Sequence, residues 1–231
     1  MSNPLVAQVD AVLATLDVKR PTVAAHCRRV SAYAVQLART YGVSDQTVET
    51  IRVGGLLHDV GKLMIPAAIL SKPGRLTERE WHTLQSHPEH GFDLVRRLGF
   101  DDGVTDIVLY HHERLDSSGY PDGLTGDAIP WGVRVVSVMD AFDALTSPRT
   151  YRDALSVEAA WTVLARESVG RYCPWAVAGL LSIPRTLLAA IAHGETGMYR
   201  PEGNPGPDVV HEVTVPWTPS WDADPDLFPG W

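Results

Sequence analysis

The segment GLLHDVGK, residues 55–62, sets His58, Asp59 and Lys62 into a stretch that otherwise reads as the buried end of a helix. Burying an unpaired charge is costly, so these groups call for partners, either other side chains or a metal. Further residues of metal-ligand type interrupt apolar runs downstream: His87, the pair His111 and His112, and Asp140. A nitrogen-and-oxygen set without thiolate suits octahedral iron or manganese at least as well as zinc. Adjacent ligands on a helix diverge by about 100°. His58 with Asp59, and His111 with His112, would therefore serve two neighbouring ions better than one, with Asp59 as the bridge. Two ions about 3.5 to 4 Å apart can hold a bridging hydroxide at neutral pH and clamp a phosphodiester oxygen for in-line attack on phosphorus. Such a site needs no serine or cysteine nucleophile. Lys62, about one helical turn beyond His58, can reach the phosphoryl group on which negative charge grows.

These residues need a scaffold that converges them, and a helical bundle can point side chains from several segments at one inner site. The chain has 231 residues, 45% of them hydrophobic, which is enough for a sizeable core. Its periodic segments follow one another closely and are mostly helical in spacing. Residues 5 to 17 read as a short amphipathic helix, and Pro21 opens a longer one that Gly42 closes. His26 lies on the apolar stripe of that second helix, with Val30, Leu37 and Tyr41. Ser44 caps a third helix expected to run to about Gly61. PAAIL is a helical turn, Thr77 and Glu80 form a capping box, and HPEHGFDLVRRLG and GVTDIVLYHHE are helices. The turn-rich loop ERLDSSGYPDGLTGDAIP precedes the helix WGVRVVSVMDAFDALTS. Two more helices start at Ser156 and Pro174. From residue 194 the chain is dense in Pro, Gly and Asp with scattered Trp, a composition for an extended or mobile tail.

Composition excludes several roles. A formal net charge of −8 repels polyanions, so a nucleic-acid polymer is not the expected partner. The N-terminus has no basic lead, and no run approaches the roughly 18 apolar residues of a membrane span. Cys27 and Cys173 are too few for a disulfide framework, and a reducing cytoplasm fits.

Residues from about 20 to 183 resemble an HD-GYP domain, the bacterial subgroup of the HD phosphohydrolases. The matching segments are LLHDVGKLMIP, ILSKPGRLT, HPEHG, HHERLDSSGYPDGLTGDAIP, RVVSVMDAFDALTS and PRTYRDALS. The resemblance implies an all-α bundle of the HD type. Its parts are an N-terminal helix over 1–19, the phosphohydrolase domain over 20–193 and a Pro/Gly/Trp-rich extension over 194–231. The implied activity is metal-dependent hydrolysis of cyclic di-GMP to linear pGpG, GMP or both, at two or sometimes three iron or manganese ions. By matching positions, His58, Asp59, His87, His111, His112 and Asp140 would be the metal ligands. Lys62 would touch substrate phosphate. Gly119, Tyr120 and Pro121 are the naming motif, and with Arg149 and Arg152 they are the expected substrate contacts.

Asp143, three residues after Asp140, is expected to orient a ligand histidine. Candidate partners are a GGDEF-type cyclase and a second copy of the chain. The alternatives are an HD-type phosphohydrolase acting on another nucleotide or cyclic dinucleotide, and a weakly catalytic cyclic di-GMP sensor or cyclase-docking module. The chain departs from the family pattern at Ser117, where a glycine is usual, at Cys173, where a helix-capping aspartate is usual, and at Thr22, where some relatives carry Glu. With Thr22 a poor ligand, the expectation is two ions rather than three, and His26 is expected to be a core histidine hydrogen-bonded to a neighbour or to a residue around a ligand.

Overall fold

Proline, serine, threonine and aspartate punctuate this chain at the points where helices begin. In the structure, a computed structural model that describes residues 4–148, 153–168 and 170–194, those signals are read as the sequence implies. Helix α1 (Pro4–Lys19) leads into α2 (Pro21–Thr40), which has proline in its first turn and Gly42, at φ +63°, just past its end. Ser44 Oγ accepts from Thr47 N at 3.2 Å and opens α3 (Asp45–Leu57). After the short α4 (Ala67–Leu70), both halves of the Thr77–Glu80 capping box form at the head of α5 (Glu78–Gln85). Then come α6 (His87–Arg97) and α7 (Asp102–Tyr110), followed by α8 (Trp131–Thr146) and α9 (Val157–Glu167). Helices α10 (Pro174–Leu180) and α11 (Arg185–Ala192) close the bundle. Cys173 caps α10 without a side-chain hydrogen bond, as its thiol implies. Among the described residues there is no strand, only an isolated antiparallel bridge between Asp116 and Thr125. No single described helix is long and apolar enough to cross a membrane.

Two apolar clusters make the core. In one, Val30, Tyr33 and Leu37 of α2 pack with Val136, Met139 and Phe142 of α8 and with Leu180 and Leu188 of α10 and α11. In the other, Leu13 and Leu16 of α1 pack with Leu57, Val60, Val95 and Val108. Each fully buried side chain of this size contributes about 1.5–3 kcal/mol relative to exposure. The polar segment falls between them: Leu57 and Val60, flanking His58 and Asp59, belong to the second cluster, while Met139 and Ala141, flanking Asp140, belong to the first.

Two helices end earlier than their sequence suggests. Helix α3 stops at Leu57 rather than near Gly61, and Val60–Leu63 forms a tighter 3₁₀ turn. The His58 ring takes the Gly55 carbonyl, at 2.8 Å, which a continuing helix would use. The tight turn then presses against α6 so closely that a Cβ on Gly61 would lie 1.8 Å from the His87 carbonyl oxygen. Helix α7 likewise stops at Tyr110, leaving His111 and His112 in the turn beyond it. Arg149, Arg152 and the tail beyond Gly194 lie outside the described residues.

Candidate metal centre

Three of the histidines reach the centre by the same device. His58 follows the end of α3, His87 starts α6 just beyond α5, and His111 follows α7. Each places Nδ1 on the backbone carbonyl three residues earlier: His58 on Gly55 at 2.8 Å, His87 on Leu84 at 2.7 Å and His111 on Val108 at 2.9 Å. The last carbonyls of a helix lack intrahelical donors, so a following ring that supplies one is doubly useful. Because a carbonyl can only accept, each Nδ1 must carry the hydrogen, which leaves each Nε2 as a lone pair facing inward.

Those lone pairs converge on Asp59. His87 Nε2 lies 3.2 Å and His111 Nε2 3.8 Å from Asp59 Oδ1. The other carboxylate oxygen, Oδ2, lies 3.6 Å from His58 Nε2, 3.7 Å from His26 Nε2 and 2.7 Å from Lys62 Nζ. Ligand atoms of Asp59, His87, His111 and His112 all fall within 4.8 Å of one another, and so do those of His26, His58 and Asp140. Asp59 thus presents one oxygen to each group.

The donors fit divalent cations. His87 Nε2 and His111 Nε2 stand 3.3 Å apart, two lone pairs facing each other with nothing to share unless a cation lies between. Buried His58 Nε2 and Asp59 Oδ1 complete no hydrogen bond within the chain. Burial, with neighbouring histidines next in importance, holds His111 and His112 well below the usual imidazole range, so both are neutral and ready to ligate. Burial opposes ionisation of Asp59, but Lys62, His58 and His87 outweigh it and hold the carboxyl well below its ordinary value.

The expected residues His58, Asp59, His87, His111, His112 and Asp140 all meet here, with one difference from the sequence expectation. His111 and His112 do not diverge. With the helix ended at Tyr110 their rings lie 4.1 Å apart, and both belong to the Asp59–His87 group. His26 is buried and hydrogen-bonded, as a core histidine would be, and its ring also reaches the centre. Its Nε2 lies 2.9 Å from Asp140 Oδ1 and groups with His58 and Asp140. Its Nδ1 donates to Asp143 Oδ2 at 2.7 Å, and Arg29 holds both Asp143 oxygens, at 2.7 and 2.8 Å. Burial works against both charged forms. The two carboxylates nonetheless raise His26 to about 9, and His26 and Arg29 hold Asp143 far below the carboxylate range. Thr22, one turn before His26, is exposed.

The GYP segment lies against His112. The Tyr120 ring stacks on the His112 ring at 4.8 Å, and the Trp81 ring meets Tyr120 edge-on at 6.3 Å. A Cβ on Gly119 would come within 2.5 Å of the backbone of His112, Glu113 and Arg114, so only glycine fits that approach. Pro121 beside them is half-buried. Ser117 takes the left-handed conformation, φ +64°, that its glycine-type position demands.

Two residues escaped the sequence reading although the HHER string contains them. Buried Glu113 accepts three backbone N–H groups of the loop, from Asp122 at 2.7 Å, Gly123 at 3.0 Å and Leu124 at 2.9 Å. Buried Arg114 donates to the carbonyls of His111 and Glu113 and to Ser137 Oγ, and packs over the Tyr172 ring at 4.7 Å.

An all-helical bundle with an adjacent His–Asp pair at its polar seam is a metal-binding architecture, and comparison places it. The HD domain family matches residues 11–174, and the chain belongs to that family. Among curated proteins, the chain is 42% identical over 159 residues to the cyclic di-GMP phosphodiesterase response regulator RpfG of Xanthomonas campestris, a match covering 68% of this chain and 42% of that protein. It is 38% identical over 149 residues to a 3'3'-cGAMP-specific phosphodiesterase of Vibrio cholerae, covering 64% of this chain and 32% of that protein. It therefore spans less than half the length of either. The fold is shared with the PgpH HD domain of L. monocytogenes solved with cyclic-di-AMP, at TM-score 0.58 and 18% identity over 82% of this chain and 99% of that one. It is also shared with Bd1817, an HDG"Y"P protein of Bdellovibrio bacteriovorus, at TM-score 0.58 and 24% identity over 68% of this chain and 50% of that one.

Proposed function

We propose that this chain is a metal-dependent phosphodiesterase that hydrolyses cyclic di-GMP to linear pGpG, GMP or both. The observation that carries the reading is the Asp59 carboxylate, with Oδ1 facing His87 and His111 and Oδ2 facing His26 and His58. Asp59 would bridge two divalent ions, of iron or manganese, held on one side by His87, His111 and His112 and on the other by His26, His58 and Asp140. When bound there, such ions supply Lewis-acid polarisation of a phosphodiester and activation of water.

The chain's own residues divide the remaining work. Backbone carbonyls fix the tautomers of His58, His87 and His111, and Asp143 with Arg29 fixes His26. Lys62, 20% exposed and paired with Asp59, is the cation able to meet the phosphoryl group. Tyr120 and Trp81 wall off His112 and keep its ring oriented. Arg149 and Arg152 are proposed to bind the second phosphate, where a guanidinium fork matches phosphate geometry.

A second reading, 3'3'-cGAMP as substrate, is favoured by the 38% likeness to a phosphodiesterase specific for it. Incubating iron- or manganese-loaded protein with cyclic di-GMP and 3'3'-cGAMP in parallel, with chromatographic separation of products, tests both. The proposal expects cyclic di-GMP to be cleaved faster. The reverse order moves the assignment to 3'3'-cGAMP, and cleavage of neither ends it.

A further inference from the structure

Next to His26 on α2 stands a side chain that the hydrolytic reading does not use. Cys27 is fully buried, and its Sγ, a nitrogen of His58 and a carboxylate oxygen of Asp59 all lie within 4.8 Å of one another. His58 has only Nε2 to offer, since Nδ1 is committed to the Gly55 carbonyl, and that Nε2 is buried without a hydrogen-bond partner. Sulfur, nitrogen and oxygen thus converge at the base of the centre from three consecutive structural pieces: α2, the end of α3 and the turn after it.

We propose that Cys27, His58 and Asp59 form a second, mutually exclusive cation site that takes a thiophilic divalent ion of the zinc or cadmium type. Manganese prefers oxygen and nitrogen donors, and ferrous iron binds thiolate less tightly than zinc or cadmium does. A soft or borderline ion gains most from a thiolate, and zinc accepts a four-coordinate set of mixed sulfur, nitrogen and oxygen donors completed by water. Because this site borrows His58 and an oxygen of Asp59, filling it takes His58 from the His26–His58–Asp140 group and engages the carboxylate that both groups share. A thiophilic ion would therefore act as an antagonist of the hydrolytic centre, and in that respect the inference rests on the two-ion reading above.

The test uses the metal-free full chain and cobalt(II) as the probe, with Cys27→Ser and Cys27→Ala as variants and thermal melting to confirm that each is folded. A thiolate bound to cobalt gives a charge-transfer absorption in the near ultraviolet, whereas nitrogen and oxygen ligands give only the weak visible bands. Wild type is expected to show both absorptions, and both variants the visible bands alone. Cadmium affinity should fall at least about tenfold in the variants while manganese affinity stays within about twofold. Visible bands without the ultraviolet absorption in wild type would overturn the thiol site and leave the histidine–aspartate centre standing. An ultraviolet absorption that survives in both variants would assign it to Cys173 and also overturn the inference. Absence of both absorptions would overturn the metal reading as a whole.

Discussion

Replacing Glu113 separates loop support from metal ligation. Its carboxylate is buried and accepts from the amides of Asp122 and Gly123 on one oxygen and of Leu124 on the other. Hydrogen bonds to a charged group are worth about 1.5–3 kcal/mol each, which would put three at roughly 4.5–9 kcal/mol if they were independent. They are not independent: one carboxylate serves all three, and the amides of this half-exposed loop can turn to water once released. About half of that range is the reasonable expectation, so Glu113→Ala should cost roughly 2–4 kcal/mol. Glu113→Gln keeps an oxygen for Asp122 and Gly123 but turns an NH₂ towards the Leu124 N–H, and should cost about 2 kcal/mol, some thirtyfold in the folding equilibrium. Urea unfolding of the metal-free protein measures the loss without a contribution from bound ions. Hydrogen exchange at Asp122, Gly123 and Leu124 reports whether it is local to the loop. A Glu113→Ala protein that loses less than about 1 kcal/mol, with exchange at those amides unchanged, would refute the argument.

Other expectations follow from the same geometry. His26→Ala should reduce the bound metal by one ion per chain, as read by elemental analysis of anaerobically purified protein; an unchanged metal content would return His26 to a core role. Ser117→Gly relieves a left-handed serine and should raise stability by up to about 1 kcal/mol, since the αL strain of about 1–2 kcal/mol is partly offset by glycine's greater freedom when unfolded. A lower melting temperature for Ser117→Gly would contradict this. Lys72, then the Thr77 amide and hydroxyl, pull Glu80 down to about 2 from a usual 4.5, so the folded state favours its ionised form. The stabilisation is complete above pH 4.5 and is lost as pH falls towards 2. The stability gap between wild type and Glu80→Gln should close over that interval, and a gap that widens on acidification would show the sign to be wrong.

Local signals were legible in the sequence. Ser44, Thr77 with Glu80, and Pro21 mark helix starts because caps depend on residues within one turn of one another, and the structure uses each of them. The helix ends at Leu57 and Tyr110 were not legible, since no glycine or proline marks them and the following histidine rings take the Gly55 and Val108 carbonyls instead. That error propagated: with His111 and His112 assumed helical, the expected 100° divergence assigned them to different ions. His26 and Asp143 were each legible, as a stripe histidine and as a ring-orienting carboxylate, but not as a pair, because they lie 117 residues apart and only tertiary packing joins them. Glu113 was visible as a letter in HHER, but its work is on backbone amides, which no pattern of side chains announces.

The histidines that follow helix ends differ from His26 in what a mutation can do to them. For His58, His87 and His111 the proton is placed by a main-chain carbonyl, which every residue type provides. Substituting Leu84 or Val108 leaves the acceptor in place, so His87 and His111 tolerate drift there; Gly55 is the exception, because a Cβ on it would lie 2.9 Å from the Ser31 backbone. The proton on His26 is placed by the side chain of Asp143, itself gripped by Arg29. One base change at either codon can release it. The centre therefore has a robust half written into the backbone and a fragile half written into side chains, and loss-of-function variants that spare every ligand should gather at Arg29 and Asp143.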